Sequence, residues 1–301
     1  MVVAQVVECV PNFSEGRRKD VVDRIVSSIR SVDGVKILDV ESDVDHNRSV
    51  VTFVGDEESV QEAAFRGAST ARELIDLNKH TGQHPRMGAL DVLPFIPIAG
   101  VTMGDCVRIA NKIGARIAQE LKIPVYLYEA AAKLPERKNL ENVRKGEFEG
   151  LRDDIAEDAS RAPDYGPRSI HPTAGAMAVG ARMPLVAFNV NLKSTDIKVA
   201  KDIARKIRAS SGGMPKVKAL GFALENRGMV QVSMNLTDYT VTSVWKVFEA
   251  IQKEARDRGV VVAEGELIGL IPLGAVCDVA ARFLKMSTFQ SNQVLERRIW
   301  D

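Results

Sequence analysis

The chain has 301 residues, 45% of them hydrophobic, enough for one large core or two smaller ones. With 41 basic and 40 acidic residues the net charge is +1, and aromatics are 5%, a composition unlike that of nucleic-acid and membrane-surface binders. The scattered Cys9, Cys106 and Cys277 make neither a disulfide framework nor a zinc knuckle and read as reduced, mostly buried thiols. No apolar run approaches the roughly 18 residues of a membrane span, and the first residues lack the basic start of a signal peptide, so a cytoplasmic protein is expected.

Residues 3–10 are Val-rich and predict a buried strand, broken at Pro11. Ser14 is a good N-cap, with Glu15 in the first turn, for a helix to about residue 31. Residues 36–40 predict a strand, 41–45 an acidic loop, 48–54 a second strand and 57–77 a helix. Residues 80–91 hold two of the four histidines, His80 and His84, with Gly82, Pro85 and Arg86 around them. A strand at 90–98, a helix at 103–121 and a strand at 125–128 follow. Residues 133–168 are charged and broken by Pro and Gly, which predicts short helices and loops.

Beyond residue 180 the pattern resumes with a strand at 184–192 and a helix to about 209 capped by Ser194 or Thr195. Residues 217–224 and 229–236 predict a hairpin around Gly228. A helix from Thr240 to about 258, strands at 259–263 and 267–271 and a helix at 273–286 complete the chain. The order β-α-β-β-α-β thus occurs twice. The expected fold is α/β of the α+β type, with subdomains at 1–180 and 181–301. Each is of split-βαβ character, with mixed sheets facing each other, helices outside and a substrate crevice or tunnel between.

The four-residue spacing of His80 and His84 is that of a helical zinc pair, but Gly82 and Pro85 interrupt any helix and no Glu completes a metalloprotease pattern. Surface histidines and general acid–base histidines remain as the other readings. For the last, an imidazole suits the task because it exchanges protons near neutral pH. His84, fixed by Pro85 and polarised by Arg86, is the better candidate of the two. Asp39 and Glu41 at a strand end, and Asp45, His46, Asn47 and Arg48 just before the next, could project into a crevice or lie in a solvated loop. A second unusual segment runs from Pro163 to Ala176, where Gly175 permits close backbone approach, either to a ligand or within a linker. No Gly-rich phosphate motif is present.

Residues 8–16 (Glu8-Cys9-Val10-Pro11-Asn12-Phe13-Ser14-Glu15-Gly16) and 84–92 (His84-Pro85-Arg86-Met87-Gly88-Ala89-Leu90-Asp91-Val92) resemble the glutamate formiminotransferase family. So do residues 124–128, 163–167 and 187–192, and the resemblance spans residues 5–286. It implies transfer of a formimino group from N-formimino-L-glutamate to tetrahydrofolate as co-substrate, in histidine degradation, with no metal. It places the catalytic histidine on His84 and an acid on Glu41, with Asp39 close by. The folate-contacting segment falls on Pro163, Asp164, Tyr165, Gly166, Pro167, Arg168, Ser169, Ile170, His171 and Pro172. Here Arg168 and His171 depart from the family pattern. Arg48, Arg86 and Arg168 are candidates for substrate carboxylates, since a guanidinium fork suits them. A homodimer is implied, and because animal relatives fuse this domain to a cyclodeaminase, a separate cyclodeaminase is an expected partner. The motifs leave open a formyltransferase using N-formylglutamate, a folate-binding homologue without catalysis and a zinc hydrolase.

Overall fold

The computed structural model describes residues 5–300, with nothing stated for the side chains of residues 299 and 300. The first two residues of the expected opening strand, 3 and 4, lie outside that range. The chain divides after Arg182 into two compact units.

The first unit is built on a seven-stranded sheet. Its opening strand continues past Pro11 as two pieces, β1 (Val6–Cys9) and β2 (Asn12–Phe13), both lying between β4 (Arg48–Gly55) and β5 (Leu90–Ala99). β3 (Lys36–Asp43) forms one edge against β4. The expected acidic loop is therefore largely strand: residues 41–43 extend β3, because Glu41 and Asp43 pair with Val50 and Arg48. On the other side of β5 run β7 (Met177–Ala181) and then β6 (Val125–Glu129), parallel to one another and to β5. β7 was not expected from the sequence. It is short, partly small-residue and preceded by a Pro/Gly-rich stretch.

Three helices cover one face of this sheet. They are α1 (Lys19–Arg30), α2 (Glu57–Leu74) and α3 (Met103–Leu121). Ile25 and Ile29 of α1, Ala64 and Ala68 of α2, and Ile109, Ile113 and Ile117 of α3 repeat at helical spacing and bury against Val7, Cys9, Val51, Phe53, Leu93, Phe95 and Val179. Each fully buried isoleucine or phenylalanine contributes about 1.5–3 kcal/mol. Ser14 does not cap α1, which begins five residues later with Arg18 at the cap position and no side-chain cap. Its hydroxyl instead donates to the Gly88 carbonyl at 2.7 Å. Glu15 accepts the backbone N–H groups of Arg17 and Arg18, both at 2.9 Å. α2 stops at Leu74, short of the expected end. Residues 133–168 form the predicted short helices, among them α4 (Leu140–Val143) and α5 (Glu147–Asp154). Val143, Leu151 and Ile155 pack on Tyr126, Tyr128, Val92 and Ala178, covering part of the opposite sheet face.

The second unit is a four-stranded antiparallel sheet in the order β11-β8-β10-β9. The expected hairpin forms with the predicted bounds, β9 (Val217–Leu224) and β10 (Met229–Leu236), turning through Gly228 at φ +59°. β8 (Val186–Leu192) pairs with β10. The two closing strands expected from sequence are one, β11 (Val262–Ile268), because Glu264 to Glu266 pair with β8 rather than turning. α6 (Ile197–Ile207) is capped by Asp196, not Ser194 or Thr195, and α7 (Val244–Asp257) by Ser243, not Thr240. Ala200, Ile203, Ala204, Val247 and Ile251 from these helices bury on Val190, Val230 and Val232. α8 (Leu273–Phe283) and α9 (Leu295–Trp300) end the described chain. The fold is therefore mixed α+β with two sheets. Among the described residues no helix is long and apolar enough to cross a membrane.

Candidate active site

Strand alternation separates the two faces of the first unit's sheet. In β4, Val51 and Phe53 enter the helix-covered core, so Arg48, Val50 and Thr52 face away from it. Their partners on β3 are Asp43, Glu41 and Asp39. Paired residues share a face, so these three carboxylates line up beside Arg48 on the face without α1, α2 and α3. Asn12 and Glu8 join the same face through their pairing with Val50 and Val54. Burial raises the Glu8 carboxyl, and Arg182 works against that shift.

His84 stands in the connector between α2 and β5, half-buried, and its imidazole makes no hydrogen bond with another described residue. Its pKa is lowered to about 3, first by burial and then by Arg48, Arg144, His46 and His80. The ring is therefore neutral, with both nitrogens free, inside a positive field. Arg48 is also partly buried, and its guanidinium forms no hydrogen bond or ion pair with a described residue. Burial and Arg144 lower its pKa, while Asp91, Asp43 and Glu41 oppose them. A desolvated guanidinium without a carboxylate partner is a ready acceptor site for an anionic substrate.

Arg144 and Asp91 complete the cluster. They form an ion pair, and the Asp91 carboxylate also accepts the Met87 N–H at 2.7 Å. Neither was singled out in the sequence. They lie 53 residues apart, and Arg144 sits in a segment whose many charges look alike until folded. Asn47, grouped with Arg48 just before a strand by the sequence, ties loops together. At φ +49° it accepts from the Gly16 N–H at 2.9 Å and donates to the Thr81 carbonyl at 3.0 Å, joining three loops. Asn tolerates the left-handed region that this position takes.

The remaining predicted residues are placed as follows. Asp39 accepts the Val40 N–H at 2.9 Å, and Glu41 is exposed on β3. His80 is bound on both nitrogens: Nε2 lies 2.9 Å from the Asn47 carbonyl, and Nδ1 accepts from Arg86 at 3.2 Å. Arg86 is buried and pairs with Glu149 at 2.7 Å and Glu147 at 3.3 Å. Among the described residues, no hydrogen bond or ion pair joins residues 163–172 to His84. Pro163 is half-buried, and Asp164 accepts the Leu127 N–H and pairs with Arg137, both at 2.8 Å, fastening the segment to β6. Tyr165 donates to Asn111 at 2.8 Å and lies under Lys133. Gly166 takes φ +93°, Pro167, Ser169 and Pro172 are exposed, and Ile170 packs on the core. Arg168 donates to the Ala156 carbonyl at 3.1 Å. His171 Nδ1 accepts the Ala174 N–H at 3.1 Å, with Arg72 3.2 Å from Nε2. Gly175 brings the backbone close to Met87 rather than to an open site: a Cβ there would lie 2.2 Å from the Met87 carbonyl oxygen. Among the described residues no three His, Cys, Asp or Glu side chains converge as a metal site requires.

A neutral imidazole and a guanidinium free of carboxylate partners, in a unit whose sheet face carries a row of carboxylates, have the chemistry to move a proton and to hold an anion. The comparisons with known proteins name the class. The family described as "Formiminotransferase domain, N-terminal subdomain" matches residues 6–182, and "Formiminotransferase domain" matches residues 187–298. Glutamate formimidoyltransferase of Streptococcus pyogenes serotype M1 is 51% identical over 298 residues, 99% of each chain. Glutamate formimidoyltransferase of Thermoplasma acidophilum is 48% identical over 97% of each chain. Formimidoyltransferase-cyclodeaminase of Rattus norvegicus is 46% identical over 93% of this chain and 52% of that protein. The chain belongs to the formiminotransferase family and is a transferase.

Proposed function

We propose that this transferase moves the formimino group of N-formimino-L-glutamate to tetrahydrofolate, with His84 as the general acid and base. N5 of tetrahydrofolate attacks the amidine carbon and passes its proton to His84. The tetrahedral intermediate collapses as His84 returns the proton to the departing nitrogen. Glutamate leaves as a free amine and 5-formiminotetrahydrofolate remains. The observation that carries this reading is the neutral, unbonded His84 imidazole beside the unpaired Arg48.

A pKa near 3 makes His84 by itself a weak base. The carboxylates of the donor, held by Arg48, would offset the cations that depress it. At an effective dielectric near 20, opposite charges about 4 Å apart recover about 4 kcal/mol, or roughly three pK units. That is enough to bring the imidazole into the working range of a base near neutral pH. Arg86 offers less to a carboxylate, since Glu149, Glu147 and His80 already occupy it.

Purified protein incubated with tetrahydrofolate and either N-formiminoglutamate or N-formylglutamate tests the substrate assignment. Formation of 5-formiminotetrahydrofolate from the first donor is expected. Turnover with formylglutamate alone would overturn the formimino reading, and binding of folate without transfer from either donor would overturn catalysis.

A further inference from the structure

We propose that Arg86 is a positioning residue, clamped by Glu149 and Glu147 so that the loop carrying His84 is held in one conformation. This rests on the reading of His84 as the proton-transfer group and deepens it. The imidazole itself has no hydrogen bond to a described residue, so its placement must come from its neighbours. Arg86 lies two residues away, its side chain only 9% exposed. Its guanidinium donates to Glu149 through Nη1 at 2.8 Å and Nη2 at 2.7 Å, to Glu147 through Nη1 at 3.3 Å, and to His80 through Nε at 3.2 Å. An arginine has five N–H donors, so one is left for anything else.

The backbone is held as well. The Arg86 carbonyl accepts the Phe148 N–H at 2.9 Å, and its N–H points to Glu147 at 3.4 Å. Glu147 itself sits at φ +55° directly after Gly146 at φ +84°. A glutamate in the left-handed region is an unfavourable choice that local sequence would avoid. Here that conformation starts α5 with both Glu147 and Glu149 turned to Arg86. On the other side, His80 carries the restraint to the carbonyl of Asn47, the residue before Arg48. One guanidinium thus ties the His84 loop to α5 and to the start of β4. A bidentate fork fixes both distance and plane, which a lysine in its place would not do.

The test uses the full chain with Arg86→Lys, Glu149→Gln, His84→Ala and the double variant His84→Ala/Glu149→Gln, with thermal unfolding for each. Glu149→Gln and Arg86→Lys are expected to lower kcat about tenfold or more with KM for both substrates within about twofold. The Glu149→Gln change is expected to add nothing to the loss in His84→Ala, because both act through one imidazole. A rise in KM alone would make Arg86 a substrate ligand and overturn the proposal. Wild-type kcat in Glu149→Gln, a loss matched by the unfolded fraction, or a further drop in the double variant would overturn it too. Wild-type turnover in His84→Ala would instead sink the reading of His84 on which the proposal stands.

Discussion

Burial and two arginines act on His84 in the same direction, and their sign sets how the site responds to pH. Burial disfavours the imidazolium, and Arg48 and Arg144 add repulsion. With these groups around it, His84 therefore stays neutral down to about pH 3. Side-chain NMR is expected to show no imidazolium at His84 at pH 5, where a solvated histidine would be mostly protonated. Replacing Arg48 by Met removes one cation and is expected to raise the His84 pKa, read by the same titration. It should also raise KM for formiminoglutamate about tenfold or more, since a charge-assisted hydrogen bond contributes roughly 1.5–3 kcal/mol. An unchanged titration would mean that Arg48 does not reach the imidazole. The linkage to stability has a definite sign. A histidine with a depressed folded pKa binds more protons unfolded, so its contribution is present above the unfolded value and declines as pH falls toward about 3.

At the scale of elements, close packing of irregular segments holds the site. The Gly88 backbone bridges to Gly175, and a Cβ on Gly88 would lie 2.0 Å from the Ala176 carbonyl oxygen. Gly88→Ala is expected to cost about 3 kcal/mol, measured by urea unfolding. Asp164 is fastened differently. It and Arg137 are 5% and 8% exposed, so Asp164→Ala would strand a buried guanidinium. That should cost about 3–5 kcal/mol. If kcat of the folded fraction also stays near wild type, the segment around Asp164 acts as scaffold. Elements with strong periodicity were legible in the sequence: α3, with its buried Ile109, Ile113 and Ile117, and the β9–β10 hairpin with Gly228. β5 was legible despite Pro94 and Pro97 because its apolar residues run nearly unbroken. What local sequence hid was decided by partners. β7 gains its place from parallel pairing on both sides, and α1 starts late because Ser14 and Glu15 are drawn to other groups. In the site, His84 and Arg48 could be marked from residue type and position. Arg144, Asp91 and the Arg86 clamp could not, because only folding brings residues 53 to 63 positions apart into contact.

For the whole molecule, the proposed reaction needs two substrates and one proton carrier. Holding both reactants in one geometry supplies much of the acceleration, and a positioned acid–base group adds typically ~10²–10⁴-fold. The proposed carrier is His84, in the connector before β5, and the proposed anchoring charge is Arg48, at the start of β4. Full-length likeness to two glutamate formimidoyltransferases sets the class of reaction, a group transfer. The most direct measurement is turnover of His84→Ala with formiminoglutamate and tetrahydrofolate, alongside its thermal unfolding. A folded variant with kcat lowered ~10²–10⁴-fold is the predicted result. A folded variant that turns over at the wild-type rate would contradict the account.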